Sequence, residues 1–353
     1  MSRAALLPFP GDPFLLKYWL GLFDKVWGKE IDTLYIGFNS PVEKAVVNYV
    51  KKLCNRPNIV LDYVPDMADH GPTINKLLDM VKEDYVMLIE DDAFIFRSGM
   101  VDMCFNLIES GRYDIVGSKR GSCAFEILEA AKRKWGISYE GLGDQGPNFW
   151  PCYFFTKVDI LKSTTRHFGA RAWQCHERIQ PLEYDVEVPV VYGDTFVNTS
   201  LELRAVIPES RIYYVTQYHA HPDDYENFEN KTPYMVFDGQ APWTHIGSLS
   251  SGISGVLRDD QNRALARRMI DNSKGPTKLE DWCNSEGERK EWERRVCWFK
   301  TFYDTADIKE LEENDMLDFY NAYGAAIAQI INQYRLRTKY IDRLRSCYQT
   351  LGL

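Results

Sequence analysis

Residues 86–96 read Val-Met-Leu-Ile-Glu-Asp-Asp-Ala-Phe-Ile-Phe, an apolar run of strand length that ends in three consecutive carboxylates, Glu90, Asp91 and Asp92. A short run this apolar suits a strand buried on both faces of a parallel sheet, and such sheets present their functional edge where strands end in loops. The carboxylates are therefore expected to project from the carboxyl end of a central strand into a crevice. Glu90 and Asp92, two residues apart, can converge on one cation. Hard oxygen ligands suit Mg²⁺ or Mn²⁺, and the tendency of Mg²⁺ to keep water or phosphate oxygens makes a nucleotide diphosphate a natural partner. The alternative is an acidic turn with no ligand, so the flanking sequence has to decide.

Upstream, strands and helices alternate. Residues 4–8 form a short apolar strand, 13–29 carry the apolar spacing of a helix, and 31–38 read as a second strand. A helix over 42–53, a strand over 59–64, a helix over 73–82 and the strand 85–89 complete the series. This repeat predicts a mostly parallel, right-handed α/β sheet. Gly71-Pro72 is expected just before the third helix and Asn75 in its first turns, which bends the backbone toward the edge that bears the carboxylates.

The whole chain has 353 residues, enough for a large catalytic domain with an appendage. Its 45% hydrophobic content is that of a folded protein, and its net charge of −9 argues against a wholly basic nucleic-acid coat. The eight cysteines show neither a Cys-x-x-Cys pair nor zinc-ligand spacing, so reduced thiols are expected. The opening Met-Ser-Arg-Ala-Ala-Leu-Leu-Pro is too short an apolar run for a signal peptide, and no apolar run of membrane-spanning length follows. A cytoplasmic protein without a membrane partner is the expectation.

The first hundred residues resemble the donor half of GT-A glycosyltransferases, most nearly the family 2 type, with Glu90-Asp91-Asp92 standing where that family has an Asp-x-Asp-like motif. The resemblance implies a Rossmann-like GT-A domain over 1–257, with a donor half to about 100 and an acceptor half beyond it, followed by a helical region over 258–353. It implies a nucleotide-sugar donor, a UDP-sugar first, and Mn²⁺ or Mg²⁺ as cofactor. The family's first loop corresponds to Pro8-Phe9-Pro10-Gly11-Asp12-Pro13, and the loop after its second strand to Gly37-Phe38-Asn39-Ser40. Donor contacts are accordingly expected from Pro8, Pro10, Gly11, Asp12, Phe38, Asn39, Ser40, Asn75, Glu90 and Asp91. An aspartate common in the second loop is replaced here by Phe38-Asn39, although the Asn39 amide retains both a donor and an acceptor for a base edge.

Downstream, Gly193-Asp194 stands where the family places its catalytic base at the opening of a helix, and Asp194 followed by Phe196, Val197, Leu201 and Leu203 reads as an N-cap before an apolar helix. Asp194 is then the expected base, and in-line attack would invert the anomeric carbon. The metal is expected on Asp92 and Glu90. A late histidine is the third contact, His245 in Trp243-Thr-His-Ile-Gly-Ser248 ahead of His219 and His221.

Residues 147–162 are expected to cross the sheet between the two halves, with Trp150 and Tyr153 facing an acceptor unless they serve as plain core. The glycine-rich 141–146 reads as a loop beside that site. Helices are expected over 258–272, 286–303 and 315–351, and the stretch 335–345 carries five basic residues with Tyr340 among them and Tyr334 and Tyr348 on either side. Solvated helix faces are the default, but Arg335, Arg337 and Lys339 would also suit a nucleic-acid backbone. In its general look, including Pro10-Gly-Asp-Pro-Phe-Leu-Leu-Lys-Tyr-Trp19 and Trp243-Thr-His-Ile-Gly-Ser248, the chain is similar to phage-encoded glycosyltransferases that decorate hydroxymethylcytosine or related pyrimidines in DNA, which would place it in the host cytoplasm and add modified DNA to its partners. Other glycan, protein or small-molecule acceptors, a non-catalytic nucleotide-sugar or DNA-binding module, and a nucleotidyltransferase stay open. Sugar identity and oligomeric state are not specified by these residues.

Overall fold

The run Arg3–Phe9 forms strand β1 at the middle of the sheet, buried from Ala4 onward, with successive side chains alternating between two cores. Ala5, Leu7 and Phe9 enter one core with Met87 and Ile89, while Ala4 and Leu6 enter the other with Val86 and Leu88. In this computed structural model the described residues are 1–38, 44–63, 70–118, 123–136, 147–218, 234–237, 240–245, 286–339 and 341–342.

After β1 come α1 (Pro13–Leu22), β2 (Thr33–Phe38), α2 (Lys44–Leu53), β3 (Ile59–Tyr63), α3 (His70–Met80), β4 (Tyr85–Leu88), β5 (Ala93–Ile95), α4 (Met100–Glu109), β6 (Ile115–Ser118) and α5 (Phe125–Trp135). The second half holds β7 (Phe154–Lys157), α6 (Val158–Lys162), β8 (Arg171–Gln174), β9 (Arg178–Ile179), β10 (Tyr184–Asp185), β11 (Val190–Gly193), α7 (Val197–Val206), β12 (Ile212–Tyr218), β13 (Tyr234–Phe237) and β14 (Gln240–His245). Among the described residues there follow α8 (Glu286–Asp304), α9 (Ile308–Glu313) and α10 (Leu317–Gln333).

The main sheet runs β3-β2-β1-β4-β7-β6-β12-β13-β14-β5. β3, β2, β1 and β4 are parallel, β7 enters antiparallel between β4 and β6, and β12 is parallel to β6. The mostly parallel α/β sheet expected from the sequence is therefore present in the seven central strands from β3 to β12, with β7 as the crossing strand between its halves, while β13, β14 and β5 extend it antiparallel and helices follow at the carboxyl end of the chain. No helix of the described residues is long and apolar enough to cross a membrane.

Several element limits differ from the sequence reading, each for a local reason. The first helix gives way at Phe23–Trp27 to one wider π-helical turn, which brings Trp19, Phe23 and Trp27 together with ring centroids 4.9–5.8 Å apart. The third begins at His70 and takes in Gly71-Pro72, because proline is tolerated in a first helical turn. The long helix expected over 315–351 is interrupted after Gln333, with helical backbone again at 338–339 and 341–342, and residues 343–351 lie outside the described residues. At the break Arg335 adopts a left-handed φ of 50° and the Leu336 amide turns back to the Ile331 carbonyl at 2.9 Å, a Schellman-like stop. The helix expected over 258–272 and the loop 141–146 lie outside the described residues.

The carboxyl-terminal helices share the core that covers one face of the sheet. Phe14 of α1 meets Phe319, Tyr320 and Tyr323, and Tyr18 meets Trp298 and Phe302. Asp12 fastens this contact: one carboxylate oxygen accepts from the Phe14 and Leu15 amides, and the other accepts from the Tyr323 hydroxyl at 2.9 Å.

Candidate functional site

The three carboxylates occupy a tight turn between β4 and β5, closed by the Ala93 amide donating to the Glu90 carbonyl at 3.1 Å. Glu90 is half-buried, whereas Asp91 and Asp92 are 7% and 5% exposed. The exit of the turn is held from three sides. The Trp19 indole N–H donates to the Ala93 carbonyl at 3.0 Å, the Tyr153 hydroxyl donates to the Phe94 carbonyl at 3.3 Å, and the Trp298 ring stacks on Phe94 with centroids 5.0 Å apart. Helix α1 and helix α8 thus buttress the acidic turn, which limits how far its carboxylates can shift.

Strand parity decides what Glu90 faces. Val86 and Leu88 belong to the core covered by α3 and α7, and the Ile89 amide still donates to the Leu6 carbonyl, so Glu90 continues the ladder on that same side. There His70, the first residue of α3, brings Nε2 to 3.8 Å from Glu90 Oε1. Asp194, between β11 and α7, completes the group. Its carboxyl pKa is raised, first by desolvation and also by the charge of Glu90, while the Thr195 amide and His70 oppose the rise. Asp194 nonetheless keeps solvent access.

The loops bearing His70 and Asp194 are knit together by close backbone approach. A Cβ on Gly71 would lie 2.3 Å from the Gly169 amide nitrogen, and the Phe196 amide donates to the Phe168 carbonyl at 2.8 Å. Gly193 is similarly confined, since a Cβ there would meet Val197 Cγ1 at 2.4 Å. The expected N-cap role of Asp194 is corrected: α7 starts at Val197, and Phe196 is the cap, with a left-handed φ of 71°. That conformation costs a non-glycine residue of order 1–3 kcal/mol. The Phe196 ring holds it in place by stacking on Phe168 at 5.6 Å and meeting Phe154 edge-on at 4.9 Å. The helix start is thereby displaced past Asp194, which leaves its second carboxylate oxygen available at the edge while Oδ1 accepts from Thr195.

A divalent ion is implied by the resemblance, and the donor set fits one of a particular kind. Glu90 and Asp92 supply hard carboxylate oxygens on a braced turn. Among the described residues no group of three ligating side chains comes together, so an ion held by Glu90 and Asp92 would need substrate phosphate and water to complete its shell. His245 closes β14 in backbone register with Ala93, directly after Asp92, so the strand that carries it runs beside the turn. His219 and His221 lie outside the described residues, as do Asn39 and Ser40.

The remaining expected residues fall into two groups. Pro8, Pro10 and Gly11 lie at the carboxyl end of β1 on the edge that bears the turn, Gly11 with a left-handed φ of 115°. Asn75 lies in α3, with its carbonyl accepting from Arg166. Others serve the fold. Asp12 is 2% exposed with both oxygens engaged as described, and Phe38 is fully buried between Phe9 and Tyr63. Tyr153 is also fully buried, and its phenol is raised well above its ordinary value by burial first, with Cys152, Asp92 and Glu90 adding to the shift. It is the floor of the acidic turn and not an acceptor wall, while Trp150 packs partly buried at the margin of the main core. Arg337 donates twice to the fully buried carboxylate of Glu293 and so braces α8, whereas Arg335 and Lys339 are exposed. His70 had no sequence signal, because the sequence reads as helix only from residue 73 and only the structure starts it at His70.

No protein-family model matches the sequence, and no curated protein matches it. Among solved structures, glucosyl-3-phosphoglycerate synthase from Mycobacterium tuberculosis in complex with phosphoglyceric acid is similar at 13% identity and a TM-score of 0.33, over 46% of this chain and 59% of that one. The same enzyme in complex with Mn²⁺, uridine-diphosphate and phosphoglyceric acid gives 12% identity and a TM-score of 0.34 over 46% and 58%. TarS 1-349 from S. aureus gives 12% identity and a TM-score of 0.40, over 99% of this chain and 92% of that chain. The chain thus spans under two thirds of the mycobacterial structures and most of the TarS fragment. At identities and TM-scores this low, the chemistry of the site rests on its own residues.

Proposed function

We propose that the chain is a metal-dependent glycosyltransferase of the GT-A type that moves a sugar from a nucleotide diphosphate sugar, with UDP as the first candidate, to a hydroxyl acceptor. The observation that carries this reading is the braced Glu90-Asp91-Asp92 turn at the carboxyl end of β4, with Asp194 and His70 facing Glu90 across the same edge. Two carboxylate groups with separate duties are what this reaction needs. Asp92 and Glu90 would hold the ion, which when bound neutralises charge developing on the diphosphate. Asp194 takes the proton of the acceptor hydroxyl as its oxygen bonds to the anomeric carbon, and the electron pair of the breaking C–O bond leaves with the diphosphate. A carboxyl raised above its ordinary value is the stronger base, and general-base help is typically worth about 10²–10⁴ in rate. Attack from the face opposite the leaving group predicts inversion.

The acceptor is proposed to be of low charge. Of the basic residues that suggested a DNA acceptor, Arg337 is engaged by Glu293, while Arg335 and Lys339 are exposed, so the test includes DNA beside uncharged acceptors. The test is a mass-spectrometric screen with Mn²⁺, a panel of nucleotide sugars, and acceptors that include saccharides and hydroxymethylated DNA. Metal-dependent release of the nucleoside diphosphate, reduced by about 10²–10⁴ in Asp194→Asn, is expected. Full turnover by that variant would remove Asp194 as the base.

A further inference from the structure

The strand that leads to the candidate base alternates along its length. Val190 and Tyr192 are exposed, Val191 and Gly193 are buried, and Asp194 is exposed again. This period of two sets Val190, Tyr192 and Asp194 along one face, roughly 7 Å apart in succession. Tyr192 is 46% exposed and Phe125 69%. The two residues belong to one ledge: the Ala124 amide donates to the Tyr192 carbonyl at 2.9 Å, Phe125 is the next residue, and Cys123 bridges antiparallel to Gly193. Behind the ledge lies a separate core of Ile127, Ala131, Trp173, Val191 and Leu201, which anchors both segments. Aromatic surface left open beside a reacting carboxylate is recovered when a ligand covers it.

The charges around the ledge select the ligand. Lys132 pairs with Glu129, Lys134 with Glu183 and Arg178 with Asp185, while Arg171 donates to Asn198 and lies over the Trp173 ring. Arg133 lies over the Tyr184 ring, so each of these described cations has a partner, and Glu126 and Asp194 add negative charge, while Lys119 and Arg120 lie outside the described residues. A polyanion is disfavoured. A sugar ring is not, because its C–H face suits an aromatic ring and its hydroxyls can bond a phenol.

We infer that the exposed ring of Tyr192 is a stacking platform for a neutral sugar ring of the acceptor, one strand step from Asp194. This rests on the glycosyltransferase reading for the reaction served, but not for the binding itself. The Tyr192 phenol is raised above its ordinary value by desolvation and then by the Asp194 charge, in keeping with their sharing a face.

The test is saturation-transfer NMR and calorimetry on the full chain with a panel of neutral mono- and oligosaccharides, a short DNA duplex run alongside, and UDP-sugar binding with Mn²⁺ measured separately. At least one saccharide should bind, with affinity falling roughly tenfold in Tyr192→Ala, as loss of one aromatic stack predicts. Tyr192→Phe should restore most of it. Val206→Ala, an exposed apolar residue at the far end of α7, should bind saccharide as the parent does. No saccharide bound by the parent, equal affinity in Tyr192→Ala, or a Tyr192-dependent DNA complex in place of a saccharide complex would overturn the inference. Tyr192-dependent saccharide binding without any UDP-sugar binding would leave the platform standing and remove the transferase reading. Metal-dependent UDP-sugar binding with Tyr192-independent saccharide binding would do the reverse.

Discussion

Burial of Asp12 should make the stability of this protein fall as pH rises, and Asp12→Asn should abolish that part of the fall. The carboxyl is raised from 3.8 to about 6, chiefly by desolvation, against the lowering effect of its bonds from Leu15, Tyr323 and Phe14. The folded state therefore prefers the protonated form. The contribution is fully present below the unfolded value near 3.8 and is lost as pH rises through about 6. A shift of about two units is worth about 3 kcal/mol once both states are ionised. Asparagine keeps an oxygen for the Phe14 and Leu15 amides and offers a donor to the Tyr323 oxygen, so it preserves the geometry without the titration. Urea unfolding of parent and variant at pH 4 and pH 8 measures the effect, because other titrating groups cancel in the difference at each pH. The stability difference, variant minus parent, should become more favourable to the variant by about 2–3 kcal/mol between those pH values. A difference independent of pH would refute the buried, structural assignment of Asp12.

Trp298→Ala removes the ring that stacks on Phe94 and should cost about 3–5 kcal/mol, measured as a lower urea midpoint, with weaker UDP-sugar binding because the acidic turn loses its brace. Gly71→Ala drives a methyl against the Gly169 backbone and should cost about 1–3 kcal/mol, a range that thermal unfolding resolves. In Arg337→Ala the fully buried Glu293 loses its guanidinium partner and keeps the backbone amide of residue 337. The expected loss lies toward the lower end of about 3–5 kcal/mol, since Arg337 itself is 40% exposed, and chemical denaturation would detect it. An unchanged midpoint in that last variant would reopen the basic stretch to a role in binding.

The strands were readable because both faces of the sheet are covered. Arg3–Phe9 and Tyr85–Leu88 are nearly continuous apolar runs, and only a doubly covered strand makes that pattern. The acidic turn was readable for a related reason, since three carboxylates end an otherwise apolar segment. What could not be read depends on contacts distant in sequence. Asp12 has the spacing of a loop ligand, but its second oxygen meets a tyrosine 311 positions away. Tyr153 and Phe38 carry aromatic rings that local sequence assigns equally well to a pocket or a core, and both are fully buried. His70 became a neighbour of Glu90 and Asp194 only through the parity of β4 and the close packing of Gly71 on Gly169. The late start of α7 depends on Phe196, whose left-handed backbone is held by Phe168 and Phe154, residues no propensity links to it.

The most direct test of the central claim is calorimetric titration of UDP-sugar into the full chain with Mn²⁺ or with chelator, repeated on Asp92→Asn. Binding that requires the metal and is lost in Asp92→Asn is the predicted result. Equal binding in chelator, or undiminished metal-dependent binding by Asp92→Asn, would contradict the assignment of the Glu90-Asp91-Asp92 turn as the site where metal and diphosphate meet.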